Sequence, residues 1–311
     1  MTTLADAQAL VVADGLDLAA VDLIVEEALG EDLGGRGVLP PGTGAGVDVT
    51  SVATVEAAAE ARADFVVRRP GTPAGLSVAA YALVKVCEPA GPVDVELTRR
   101  DGDRVEAGDV VLTVRANARA LLRAERVALN LLTLMSGVAT ATRTWVDALA
   151  GSGTRVRDSR KTVPGLRVLQ KYAVRVAGGV NHRMSLVDAA LIKDNHVVAA
   201  GGVVAAFEAV RAAFPEVWVQ VEVTSAEQAR AVVDAGARDV LLDNMDPAQM
   251  TAVVTELKGR ATFEASGGLT LADAVSVAAT GVDYVAVGAI THSAPILDIA
   301  CEFLGKSADV E

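Results

Sequence analysis

A chain of 311 residues that is 51% hydrophobic has the material for a large core and the length for two domains. Its net charge of −12 and its 3% aromatic content argue against nucleic acid as a partner, which calls for a broad basic face or stacking rings. No apolar run of about 18 residues lacks a charge, the first basic residue is Arg36, and Cys87 and Cys301 form neither a metal-ligand nor a redox spacing. We therefore expect no membrane span and no secretory leader, and a reduced, cytoplasmic setting.

Residues 16–30 predict an amphipathic helix, and 34–46, with six Gly and two Pro, a mobile loop. From Val52 to Val114 short β-prone runs alternate with turns, which predicts a small antiparallel sheet with helices. The DGDRVEAGDVV hairpin has the shape of a biotinyl or lipoyl carrier, but such a carrier presents a lysine on its turn and residues 86–160 contain none. Asn117 is placed to cap a long helix from Ala118, on which Arg119, Arg123, Arg126, Asn130 and Thr133 share a polar face. Solvation is the simplest account of Arg119 and Arg123.

Beyond Gly153 the pattern becomes strand, loop, helix, repeated. Strands are expected at 154–158, 189–193, 217–222, 239–243, 262–265 and 282–288. Such alternation predicts a parallel β/α barrel, whose strands collect chemistry at their C-terminal ends. Here those ends carry Arg160 and Lys161, then Lys193, Glu222, Asp243, Ser266 and Gly288. The spacing from Glu222 to Asp243 is 21 residues, as is that from Asp243 to Glu264.

Charge marks the same region. Residues 155–193 carry nine Lys or Arg against Asp158 and Asp188, a local +7, whereas the remainder of the chain stands at −19. A small, highly charged anion suits such a concentration. Only six lysines exist against 22 arginines, and Lys161 and Lys193 both fall at strand ends. Lys171 lies within a helix and reads as solvated surface. His182 beside Arg183, after the Gly178-Gly179 turn, reads as part of the cationic mouth. Glu222 and Asp243 each suit a helix cap, but together they suggest a divalent metal with a polyhydroxylated ligand. Glu264 fits either a structural partner for a cation or a functional group. The turns at 266–269 and 287–291 match the phosphate site common to such barrels, where backbone N–H groups meet the anion.

The segments DSRKTVPGLR, KYAV, GGVNHR and LIKDNH, with ERVALNLL and SGVATAT before them and VEVTS, LLDNM, EASGG, GVDYVAVGAITHS and LDIACEF after, resemble the quinolinate phosphoribosyltransferases. The resemblance runs from about Leu16 to the C-terminal segment. Ser159 and Val163 replace more usual threonines, Ala286 a frequent serine, and the 34–46 insertion lengthens the approach to Asp48. The resemblance implies an α/β fold: an N-terminal α+β sandwich with the long helix (1–134), an open, irregular barrel of about six strands (135–291), and a C-terminal segment (292–311) packed back on the first domain. It also implies transfer of phosphoribose from 5-phosphoribosyl 1-pyrophosphate (PRPP) to quinolinate with loss of CO₂, supported by Mg²⁺. Arg126, Arg160, His182, Arg183 and Lys193 would hold the dicarboxylate, and Lys161 would face pyrophosphate. Glu222 and Asp243 would meet the ribose hydroxyls and, indirectly, the metal. Ser266, Gly267, Gly268 and Gly288 would take the 5′-phosphate. A homodimer or dimer-based assembly is implied, with Arg126 entering the neighbouring subunit's site. A paralogue with another acceptor, or a non-catalytic sensor, would share the fold. Arg160 with His182-Arg183 favours quinolinate over the first, and Lys161, Glu222 and Asp243 together argue against the second.

Overall fold

The computed structural model describes residues 1–35 and 46–304, so most of the expected 34–46 loop lies outside the described residues. Two compact units emerge: 1–140 with 164–177 and 294–311, and 141–163 with 178–293. The expected boundary at 134/135 thus falls inside a continuous helix. Residues 164–177, expected in the barrel, cluster with the first unit. Among the described residues no single helix is long and apolar enough to cross a membrane.

In the first unit, α1 (Leu4–Ala13) starts at a reciprocal cap between Thr3 and Asp6. Helix α2 (Leu18–Asp32) begins two residues later than expected, because the Asp17 carboxylate accepts from the Ala19 and Ala20 amides and ends the extended chain there. After α3 (Val49–Thr54) come β1 (Glu60–Val67), α4 (Leu76–Cys87), β2 (Asp94–Leu97) and β3 (Val110–Asn117). Strands β2 and β3 pair antiparallel from Asp94↔Arg115 to Leu97↔Leu112, so the expected hairpin forms. Helix α4 is apolar apart from a few polar positions and correspondingly buried, with eleven of its twelve residues in the core and the twelfth, Lys85, paired with Asp22 and Glu26.

Helix α5 (Ala118–Ala148) is capped as expected by Asn117, whose Oδ1 accepts from the Ala120 amide at 3.2 Å. The expected solvated stripe needs correction. Arg119 donates to Val55 O (2.7 Å) and Val52 O (3.0 Å), placing its charge on the free carbonyls at the end of α3. Thr133 is buried, while Arg126 and Asn130 are exposed.

The second unit takes in the end of α5 and then β4 (Arg155–Arg157); the chain contributes α6 (Arg167–Val176) to the first unit before β5 (Ala189–Ile192), α7 (Asp194–Ala200), α8 (Val203–Ala213), β6 (Trp218–Val223), α9 (Ala226–Asp234), β7 (Asp239–Asp243), α10 (Pro247–Leu257), β8 (Thr262–Ser266), α11 (Ala274–Ala278), β9 (Tyr284–Ala286) and α12 (Ala289–His292). All six strands expected after Gly153 are present, and they form one parallel sheet ordered β4-β9-β8-β7-β6-β5. A further parallel bridge from Arg157 to Val180 extends the β4 edge. Alternation then sorts the side chains. Val219, Val221 and Val223 of β6, Val240 and Leu242 of β7, and Phe263 and Ala265 of β8 are buried, each burial stabilising by roughly 1.5–3 kcal/mol for the larger residues. Amphipathic α8 and α9 pack against β6. The intervening residues form the opposite face.

Lys171 on α6 is corrected from surface to core: it is 1% exposed. Tyr172 beside it donates to Asp101 at 2.6 Å within the first unit. Finally β10 (Ile299–Leu304) pairs antiparallel with β1, from Val67↔Ile299 to Arg62↔Leu304, completing the order β10-β1-β3-β2.

Candidate active site

The register decides which side chains share a level. Glu222 pairs with Leu241, Leu241 with Glu264, and Asp243 with Ser266. Glu222 and Asp243 are expected at one level of the mouth, but the register sets Asp243 two residues beyond Glu222, and it is Glu264, 1% exposed, that stands level with Glu222. Leu191, Glu222, Leu241, Asp243, Glu264, Ser266 and Ala286 come from alternating positions and line one cavity of about 740 Å³. Arg160, Lys161, His182, Arg183, Lys193, Gly267, Gly268 and Gly288 line it as well, all from the second unit. Arg126 belongs to the first unit, on α5.

The cationic side is built around a buried carboxylate. Asp158, fully buried, accepts from the His182 amide and from Asn181 Nδ2, both at 2.7 Å, while its own amide donates to Val180 O. These bonds tie the end of β4 to the loop carrying His182 and Arg183. Arg183 donates from Nη1 to Ala189 O at 2.8 Å. Its pKa is lowered by burial and by the facing charge of Arg160, with Asp188 opposing. Two guanidiniums that raise each other's energy favour an anion between them. Arg160 Nε is buried with no hydrogen-bond partner among the described residues. Asp188 accepts from the Met184 and Ser185 amides, and these bonds pull its carboxyl down to about 2 despite burial.

Lys161 is exposed, and its backbone is held at both ends: its amide donates to Ser159 Oγ (3.1 Å) and its carbonyl accepts from Thr291 Oγ1 (2.8 Å). A Cβ on Gly288 would lie 3.1 Å from Lys161 Cδ, so glycine there leaves room for the lysine stem. Across the cavity the Glu222 carboxyl is pushed up by burial and then by the charge of Asp243, while Lys193 draws it down. The turn after β8 is conformationally demanding. Gly267 sits at φ +117° and Gly268 at +59°, against Asn244, which itself has φ 53°. A side chain on Gly267 would meet Asn244 N at 2.9 Å and Asn244 Oδ1 closer still.

Among the described residues no three His, Cys, Asp or Glu side chains are grouped to hold a metal ion. Glu222 and Asp243 supply two carboxylates, so a hard divalent cation would complete its shell with ligand oxygens and water. Sequence reasoning missed Arg157, Asp158, Asn181, Gln220 and His292. Arg157 and Gln220 both donate to Glu264 Oε2 at 2.7 Å, so Glu264 is the buried partner of a cation, while its Oε1 has no hydrogen-bond partner among the described residues. A neutral amide in an alternating strand gives no charge signal, whereas the run of polar residues at alternate positions of β6, Trp218-Gln220-Glu222, could have shown which face is polar.

The comparisons cover both units. The family model for the quinolinate phosphoribosyl transferase N-terminal domain matches residues 48–136, and that for the C-terminal domain matches 138–302. The chain is 51% identical to a carboxylating nicotinate-nucleotide pyrophosphorylase of Mycobacterium leprae over 83% of its own length and 91% of that protein's. It is 36% identical to a decarboxylating quinolinate phosphoribosyltransferase of Nicotiana tabacum, over 89% and 80% of the two chains. The solved structure of the nicotinate-nucleotide pyrophosphorylase from Francisella tularensis superposes with a TM-score of 0.84 at 31% identity, over 92% of this chain and 96% of that one.

Proposed function

Because the chain belongs to the quinolinate phosphoribosyltransferase family, we infer that it joins quinolinate to PRPP, releasing pyrophosphate and CO₂ and forming nicotinate mononucleotide for NAD biosynthesis. The observation that carries this reading is one cavity with a paired cationic side, at Arg160 and Arg183, facing a paired acidic side, at Glu222 and Asp243. Arg160, Arg183 and Lys193, with His182 beside them, hold the dicarboxylate; Arg suits carboxylates because its fork makes paired hydrogen bonds. Lys161, a compact charge at the rim, meets the departing pyrophosphate. Glu222 and Asp243 orient the ribose hydroxyls and would hold Mg²⁺ indirectly, through PRPP or water; the ion would offset charge on the diphosphate. Ser266 and the backbone of Gly267, Gly268 and Gly288 receive the 5′-phosphate.

No protein nucleophile is required. The pyridine nitrogen attacks the anomeric carbon as the C–O bond to pyrophosphate breaks, so the residues serve to orient the reactants and neutralise charge. The cationic pyridinium nitrogen stabilises the electron pair left at C2 when the 2-carboxylate departs as CO₂, and a proton from water takes the vacated position to give nicotinate mononucleotide. Arg126 acts from the neighbouring subunit of a homodimer. Quinolinate and nicotinate assayed side by side test the reading. Nicotinate lacks one carboxylate and leaves cations unpaired, at a cost of roughly 1–3 kcal/mol each. Comparable turnover of the two acids would exclude a dicarboxylate site.

A further inference from the structure

Beneath the cationic side of the cavity runs a buried polar chain within the second unit. Glu264 and Gln220 are each 1% exposed, Arg157 7% and His182 9%. Glu264 Oε2 accepts from Arg157 Nη1 and from Gln220 Nε2, each at 2.7 Å, and the Arg157 guanidinium lies 3.4 Å from the Tyr284 ring centroid. Gln220 Oε1 lies 2.8 Å from His182 Nε2, and the Arg183 amide lies 2.7 Å from His182 Nδ1.

The donor and acceptor roles follow from one end to the other. A carboxylate facing a guanidinium only accepts, so Gln220 turns its NH₂ to Glu264 and its oxygen to His182. An amide oxygen only accepts, so His182 Nε2 carries a proton. The Arg183 N–H only donates, so His182 Nδ1 carries none. The ring is therefore neutral, and both its nitrogens are bonded within the protein. A protonated ring would set Nδ1–H against the Arg183 N–H, donor against donor.

We propose that Gln220 and Glu264 are positioning residues for the acceptor clamp, holding His182 as the neutral Nε2–H tautomer so that it orients Arg183 and adds no positive charge to the dicarboxylate site. This rests on the functional reading above. His182 Nδ1 fixes the Arg183 backbone, Asp158 fixes the His182 backbone, and the Arg183 guanidinium then faces Arg160. The clamp's charge comes from Arg and Lys, and its geometry from the buried chain that ends on the neutral His182 ring.

The chain has three histidines, His182, His196 and His292, so ¹⁵N-histidine labelling gives a readable two-bond ¹H–¹⁵N spectrum, with His182 assigned by its loss in His182→Gln. At pH 7 and without substrate, His182 is expected to show a protonated Nε2 and a bare Nδ1. In Gln220→Leu that pattern is expected to be lost, with KM for quinolinate raised about tenfold or more, KM for PRPP unchanged and kcat within about threefold of wild type. An imidazolium or an Nδ1–H signature at His182 in the wild type overturns the proposal, as does a folded Gln220→Leu with wild-type KM for quinolinate. The spectrum keeps the proposal testable if Gln220→Leu does not fold. A wild type that leaves quinolinate unconsumed overturns the functional reading and this proposal with it; the two failures are told apart because the tautomer is read without substrate.

Discussion

Lys161 is expected to matter after binding more than during it. If it meets charge that grows on the leaving pyrophosphate, Lys161→Ala lowers kcat by about 100-fold or more while leaving quinolinate affinity near wild type. Calorimetry showing lost quinolinate affinity with unchanged saturated turnover would move Lys161 to the acceptor clamp. Gly267 carries a second expectation. At φ +117°, with Asn244 packed against it, Gly267→Ala must displace the turn, costing about 1–3 kcal/mol of stability and raising KM for PRPP above that for quinolinate. Chemical denaturation and steady-state kinetics check the two parts. Charged residues at strand ends were legible because charge is rare on a barrel's inner face. Lys171 was not: Arg167, Lys171 and Arg175 recur every four residues, as on a solvated stripe, yet Lys171 is core and Arg175 exposed. Periodicity identifies a helical face and leaves open what packs against it.

The elements themselves were legible where an apolar β-run was bounded by turns, which is why every strand after Gly153 was found. Their relative depth was not, because spacing counts loop and helix lengths as well as register. Two equal intervals show this: 21 residues climb one level from Glu222 to Asp243, and the next 21 drop back one level to Glu264. Arg119 was misread for a related reason: its partners, the α3 carbonyls, lie more than sixty residues away. The two cysteines sit on α4 and β10, and burial pushes each thiol up to about 12; Arg123 opposes this at Cys87, while Glu125 adds to it at Cys301. At pH 8 each is then held as the thiol, so both should react slowly with a disulfide reagent in the native state and quickly once the protein unfolds. Between the ordinary value of 9.0 and about 12 the folded state keeps protons that the unfolded state releases, so stability falls as pH rises through that window. Thiol titration in native and denaturing buffer measures the first effect. Rapid native labelling of either cysteine would contradict it.

At the scale of the whole molecule, the proposed dimer makes a prediction that single-subunit assays cannot. If Arg126 of each subunit completes the other's site, homodimers of Arg126→Ala and of Glu222→Ala are both nearly inactive, since every site has one defect. Unfolding the two together and refolding yields about half heterodimers, each with one doubly damaged and one intact site, restoring roughly a quarter of wild-type sites. A heterodimer confirmed by mass and as inactive as its parents would place Arg126 in its own subunit's chemistry or outside it. The discontinuity of the first unit has a consequence for synthesis. Its sheet ends on β10, whose pairing with β1 joins residues more than 230 positions apart. During translation β1 must wait, one edge bare, while the entire parallel sheet is made. The unit begun first is therefore finished last, and a ribosome stalled before residue 299 leaves a nascent chain with an open strand that other polypeptides can pair with.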